Sequence, residues 1–401
     1  MATTRANSFY NQYDFRRYMT EDDFRLIIDD ANKKYNNAAW RTLGSWDTPS
    51  DSKVWNQASR TVPIMARASY LSAHAPKPMR NTSGWKFYTG STPKFGHGYT
   101  FDEDDMFVLR DVRNNTGRNL QDLIYESLFV NAQQIIGGIH NQLSHMCYEL
   151  ASTGGIAEQS VDGVKYEFKF DFEENQYFEM APAWFTEGAD GKLTPNENVG
   201  GVKVDVLHDI LETQRILTTV QNREVNAWMI NIDTMNYILD HPSVKRAFLA
   251  NRAAYLASLS GGTLNISQDD YVVTRTEILN FIHDRGVWPF MVVDFKSVHE
   301  EDGKPVSDSP AFDPRYMVAF NVNEEMFSIK NTNSIWKDRQ NYGGIGRNTM
   351  YSFVENRIAA LSTWQEDPIH NKVQFEVYAG PVFRNTRNWA RVKLYKHYGE
   401  N

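Results

Sequence analysis

The chain has 401 residues, 41% of them hydrophobic, enough to bury one large core or a few smaller ones. Its 42 basic and 50 acidic residues leave a formal charge of −8, so no global cationic field draws it onto nucleic acid or an anionic membrane; mild acidity still suits a container that avoids sticking to its contents. The single cysteine, Cys147, excludes an intrachain disulfide or a paired-thiolate zinc site, and no apolar stretch offers a membrane span or signal peptide.

Residues 1–61 read as an arm rich in Asn, Asp, Arg and Tyr, with one helix expected over 20–35, where Thr20 and Asp23 can form a capping box. From 62 to 111 the texture changes. Pro76, Pro78 and Pro93 stand beside Gly84, Gly90, Gly96 and Gly98, with Trp85, Phe87, Tyr88, Phe95, Tyr99 and Phe101 interleaved. That alternation predicts two long, mostly exposed strands joined by a broad turn, a segment with no core of its own. Asn119 is a good N-cap for a helix of roughly thirty residues, whose buried face is marked by Leu120, Ile124, Leu128, Ile135, Ile139, Leu143, Met146 and Leu150. Gly154-Gly155 ends it, and Gly137-Gly138 in its middle permits a bend or a close approach.

Next, Val164, Tyr166, Phe168, Phe170 and Phe172 alternate with charged residues, the pattern of a strand with one wet face. Residues 203–296 have mixed α/β texture: a helix near 205–221, an apolar run at 227–232, helical spacing over 234–250, strand texture at 271–274, a helix at 278–283 and a strand at 288–295. Strand texture returns at 317–322 and 373–378. An extended hairpin ahead of an oversized helix buries little within its own subunit, so such a chain is expected to complete its packing against copies of itself.

Chemical signatures are few. There is no phosphate-cradling loop; Gly96-His97-Gly98 and Gly343-Gly344-Ile345-Gly346 lack the context of a dinucleotide fingerprint and read as turns. His140 and His145 lie five apart, the wrong spacing for a helical zinc pair, and read as surface or core histidines. Residues 186–197 and 298–309 carry Asp-Gly turns rather than calcium loops, and Cys147, beside Met146 and Tyr148, reads as an inert small hydrophobe. The carboxylates Asp102 to Asp105 and Glu173-Glu174 read as solvated faces, and the sequons at Asn81, Asn114 and Asn265 as chance matches. No catalytic, cofactor-binding or metal-binding residue is nominated. Two other classes stay open: a glycan-binding module using exposed Trp and Tyr, and a hydrolase with its site in the 203–296 unit.

The order of elements resembles the major capsid protein of tailed double-stranded DNA bacteriophages, the Hong Kong 97 type of fold. Val62-Pro63-Ile64-Met65-Ala66-Arg67-Ala68, leading into His74-Ala75-Pro76-Lys77-Pro78, is similar to the start of that family's extended E-loop, particularly in lambda-like coat proteins. Trp228-Met229-Ile230-Asn231 with Thr234-Met235-Asn236 and His241-Pro242-Ser243-Val244-Lys245 is similar to part of its axial domain, and Phe312-Asp313-Pro314 to Phe320 to the return into its peripheral domain. The resemblance implies an α+β fold with an N-terminal arm at 1–61, an E-loop at 62–111, a peripheral domain at 112–202 containing a spine helix at 119–151, an axial domain at 203–311 and returning peripheral strands at 312–401. Residues 173–202 and 331–370 fit that pattern poorly and read as insertions.

What the resemblance implies about function is structural: self-assembly into hexamers and pentamers of an icosahedral shell enclosing phage DNA, with no enzymatic activity and no cofactor. Expected partners are copies of the chain, portal and optional decoration proteins, and DNA touched non-specifically, for which Arg5, Arg16 and Arg17 are candidates; no membrane is involved. Because residues 1–61 are Asn-rich and aromatic, a separate scaffolding protein, or none, is expected, with little N-terminal processing. The expected location is the virion capsid, assembled in the host cytoplasm. Pro76, Pro78, Trp85, Phe87, Tyr88, Phe95, Tyr99 and Phe101 are the candidate inter-subunit contacts, with Trp85, Phe87 and Tyr88 as aromatic anchors.

Overall fold

The computed structural model describes residues 20–60, 85–159, 165–260, 274–301, 304–307, 310–337, 349–366 and 368–399. The chain divides into two units. One draws on Met1–Asn56, Thr89–Cys147 and Phe327–Val382, the other on Gln57–Tyr88, Tyr148–Met326 and Phe383–Asn401.

The first unit is built on a six-stranded sheet ordered Gly44–Trp46, Phe327–Thr332, Ile369–Phe383, Ile358–Glu366 and Thr349–Val354, with Lys94–Phe101 also paired along Ile369–Phe383. In Ile369–Phe383, Val373, Phe375 and Val377 are buried while Lys372 and Gln374 are exposed, the period of two that gives a strand one dry face. The segment 331–370, read as an insertion, thus supplies two neighbouring strands of the sheet. Helix Glu21–Lys33 forms where expected: the Thr20 hydroxyl accepts from Asp23 N, and the Asp23 carboxylate accepts from Thr20 N.

The long helix runs Leu120–Thr153, and 34 residues at about 1.5 Å each make it about 50 Å long. Leu120, Ile124, Leu128, Ile135, Ile139, Leu143, Met146 and Leu150 are all buried, as their spacing predicts. Asn119 caps it by accepting from Gln121 N at 3.2 Å, and Gly154 closes it at φ 78. The glycine pair permits close approach: a Cβ at Gly137 would collide with the Tyr35 phenol, whose hydroxyl donates to Gln133 O at 2.7 Å, and one at Gly138 would lie 3.2 Å from His97.

Two expectations for 62–111 are corrected. The ribbon is Val54–Arg60 paired with Trp85–Ser91, so it begins before residue 62 and is complete before residue 94. Lys94–Phe101 then belongs to the main sheet, and Glu103–Thr116 is a helix, not an exposed strand. The Asp102 to Asp105 cluster, read as a solvated face, starts that helix. Asp102 Oδ1 accepts from Asp104 N and Asp105 N, the Asp105 carboxylate accepts from Asp102 N, and Gly117 at φ 67 ends the helix.

The second unit holds a five-stranded sheet ordered Phe290–Val293, Ala227–Asn231, Tyr316–Phe320, Trp389–Lys393 and Tyr177–Glu179. Tyr316–Phe320 and Trp389–Lys393, expected as returning peripheral strands, instead pair antiparallel beside Ala227–Asn231 in the 203–296 layer. Helices Val206–Arg215, Ile232–Asp240, Pro242–Ser260 and Arg275–Asp284 accompany this sheet, with Ile210, Ile238, Val244, Ile278 and Ile282 packed around Trp228 and Ile230. The expected helix over 234–250 is broken in two because Pro242 has no N–H to continue it. The segment 173–202 is a series of short elements, including the hairpins Phe185–Glu187 with Leu193–Pro195 and Asn198–Val199 with Val202–Lys203. The strand expected at 164–172 is Lys165–Lys169 paired with Gly155–Gln159; beyond it Phe170 and Phe172 enter an aromatic cluster in which Phe172 stacks on Trp389 at 4.1 Å. Residue 164 and the strand texture at 271–273 lie outside the described residues.

Candidate inter-subunit surface

The ribbon's two strands alternate in burial. Val54, Asn56 and Ala58 are exposed while Trp55 is buried; Phe87, Thr89 and Ser91 are exposed while Tyr88 is buried. A period of two places the exposed residues of each strand on its solvent side. Phe87 is the aromatic there, with 77% of its surface open, and Val54 is also largely open. In the first unit, the base of the ribbon is fixed by backbone and hydroxyl bonds: Thr92 N donates to Lys53 O at 2.9 Å, and the Thr92 and Thr332 hydroxyls are 2.7 Å apart.

The nominated contacts therefore separate. Phe87 faces solvent, whereas Tyr88 does not: its ring packs on Phe170 at 5.0 Å and its hydroxyl donates to Asp171 O at 3.0 Å. Burial pushes the Tyr88 phenol pKa up, so the bond is made by a neutral donor. Phe101 is buried, Phe95 half-buried, and Tyr99 holds its hydroxyl in a closed environment that also raises its pKa by desolvation. These three sit on the main-sheet strand Lys94–Phe101 because pairing with Ile369–Phe383 carries them away from the ribbon. Trp85 lies in the ribbon strand, with its side chain outside those described; Pro76 and Pro78 lie outside the described residues.

A second constellation, unnominated by the sequence, centres on Glu355 in the first unit. Glu355 Oε1 accepts from Asn32 Nδ2 at 2.9 Å and from the Arg41 guanidinium, while Oε2 accepts from Trp46 Nε1 at 2.7 Å. His140, on the long helix, has Nδ1 3.1 Å from Trp40 Nε1 and Nε2 2.9 Å from Asn32 Oδ1. Indole N–H can only donate, so Nδ1 is the acceptor and Nε2 carries the ring proton. Burial, with the Arg41 charge, lowers the His140 pKa to about 4. For Glu355, burial alone would raise the pKa, but the bond from Asn32 and the charge and bond of Arg41 outweigh it and hold the carboxyl below its usual range. His140 is thus a satisfied core histidine, one of the two roles its sequence context allowed.

The described residues hold no group of three or more His, Cys, Asp or Glu side chains placed to bind a metal, and none of their helices is long and apolar enough to cross a membrane. Comparison with solved structures finds a candidate prophage capsid protein from E. coli CFT073 that aligns with 94% of this chain and 99% of its own, at a TM-score of 0.51 and 11% identity. This chain has a phage capsid protein fold. Two further solved structures that resemble the chain are a phage-related protein from Bordetella bronchiseptica RB50, at 8% identity, 92% and 96% coverage and a TM-score of 0.46, and the capsid of cyanophage A-1(L), at 13% identity, 90% and 91% coverage and a TM-score of 0.39; no inference rests on these two. No protein-family model and no curated protein sequence matches the chain. The capsid fold accounts for the α+β element order. Glu355 escaped the sequence reading because its partners Asn32, Arg41 and Trp46 are hundreds of residues away in the chain.

Proposed function

We propose that the chain is the major capsid protein of a tailed double-stranded DNA phage, a structural subunit that assembles with copies of itself into hexamers and pentamers of an icosahedral shell. The observation that carries this reading is the capsid fold extending over nearly the whole chain, joined to a ribbon whose solvent side presents Phe87 and Val54. The ribbon lies across a neighbouring subunit and seats Phe87 in an apolar recess there. Well-buried aromatic anchors contribute about 2 kcal/mol or more each, and closed symmetry repeats the contact in every subunit, so a modest interface becomes a strong container. The role is structural rather than catalytic. A formal charge of −8 lets the shell enclose DNA in the virion without adhering tightly to it. Assembly takes place in the host cytoplasm with a separate scaffolding protein or none, and a portal protein completes the shell.

Negative-stain electron microscopy and analytical ultracentrifugation of the chain, expressed alone and with a candidate scaffolding protein, test this reading. Rings, tubes or closed shells are expected. A stable monomer or small dimer under both conditions would sink it.

A further inference from the structure

The Glu355 hub joins five elements: helix Glu21–Lys33 through Asn32, the 39–42 turn through Arg41, strand Gly44–Trp46 through Trp46, the long helix through His140, and the turn after Thr349–Val354 through Glu355 itself. Its hydrogen bonds run in one sense, from Trp40 to His140 to Asn32 to Glu355, so each group's protonation dictates the next one's orientation. Glu355 and Asn356 occupy left-handed backbone, at φ 52 and 61, which a non-glycine residue adopts only when its surroundings hold it there. The hub's donors supply that hold. Helix Glu21–Lys33 buries Phe24, Ile28, Ala31 and Asn32 and packs along strand Thr349–Val354, but an isolated helix of 13 residues is marginal in water, so it stays formed only while those contacts and the hub hold it.

We propose that this hub is an acid-sensitive clip, whose protonation releases helix Glu21–Lys33 while the six-stranded sheet stays folded. At neutral pH the Glu355 carboxylate balances Arg41 and faces Arg357, itself over the Trp46 ring at 5.3 Å and bonded to Asp47 O at 3.2 Å. Asp47 also pairs with Lys330, so its charge is already engaged. Tyr35 stacks on His140 at 5.4 Å and offers no counter-charge. A proton on Glu355 removes the anion that Arg41 and Trp46 address. A proton on His140 Nδ1 turns the acceptor facing Trp40 into a second donor and adds a cation beside Arg41. Both events push the elements apart.

The sign follows from the pKa directions. Between its ordinary 6.5 and about 4, His140 takes up a proton in the released form that the clipped form refuses, so the clip weakens as pH falls through that window. Glu355 is held below the usual carboxylate range, so its contribution is intact above that range and is lost at the acid end.

The test is hydrogen–deuterium exchange on the full chain at pH 7, 5.5 and 4, corrected for intrinsic exchange, comparing peptides over 21–33 with peptides over 369–383. Protection of 21–33 should fall at least tenfold on acidification while 369–383 keeps its own. Glu355→Gln should show that loss already at pH 7. His140→Gln, which cannot take up a proton, should move the release to lower pH, and Leu26→Ala, altering an exposed residue of the same helix, should behave as the unmodified chain. Loss of both peptides together, no loss at pH 4, wild-type protection in Glu355→Gln, or an unmoved midpoint in His140→Gln would each overturn the proposal.

Discussion

Phe87 and Tyr88 are adjacent, yet they should fail in opposite ways when truncated. In the free subunit Phe87 is 77% exposed, so Phe87→Ala should change subunit stability by less than about 0.5 kcal/mol. Burying a phenylalanine side chain is worth about 1.5–3 kcal/mol, so losing it from an inter-subunit recess weakens each contact by about 2 kcal/mol. At about 1.4 kcal/mol per tenfold, the protein concentration needed for assembly rises roughly thirtyfold. Tyr88 is 8% exposed and holds Phe170 and Asp171 O, so Tyr88→Ala should cost the subunit itself about 3–5 kcal/mol through the cavity and the lost bond. Light scattering against concentration reads the assembly threshold, and calorimetry of dissociated subunits reads stability. An unchanged threshold in Phe87→Ala, or subunit destabilisation as large as that of Tyr88→Ala, would refute the assignment.

Three further outcomes are expected. The Arg223 side chain is 4% exposed and donates to Gln221, Arg387 O, Glu173 and Asn175, so Arg223→Ala should lower stability by roughly 3 kcal/mol in chemical denaturation, with little rescue by Lys, which lacks the planar fork. Gly154 sits at φ 78, and an added Cβ would lie 2.9 Å from the Phe172 ring; Gly154→Ala should cost roughly 2 kcal/mol, and a change under about 0.5 kcal/mol would contradict the packing described. Burial pushes the Cys147 thiol pKa up, so a thiol-reactive chromophore should label the native chain at pH 8 only as fast as the chain opens; rapid stoichiometric labelling would show the helix face to be accessible.

Much of the secondary structure was open to reading because its causes are local. The apolar spacing of residues 120–150, the Asn119 cap, the Thr20–Asp23 box and the alternation from Tyr166 to Phe172 each act within a few residues. Helix Glu103–Thr116 had an equally local signal in Asp102 and Asp105, passed over because surrounding aromatics and glycines suggested strands. The candidate surface was only half legible. Period two puts Phe87 and Tyr88 on opposite faces, but which face is dry depends on Phe170 and Asp171, whose approach no local pattern encodes.

By itself, then, the sequence determined the long amphipathic helix, the alternating strands and the absence of a cationic field, because periodicity, capping and net charge are sums over near neighbours or over composition. Tertiary structure decided that Tyr316–Phe320 and Trp389–Lys393 join the second unit's sheet, that Tyr88 turns inward, and that Glu355 gathers Asn32, Arg41 and Trp46 around one carboxylate. Those outcomes rest on pairings between residues far apart in the chain. Each gains its energy only when the complete unit excludes water around it, so no shorter segment contains the information to specify it.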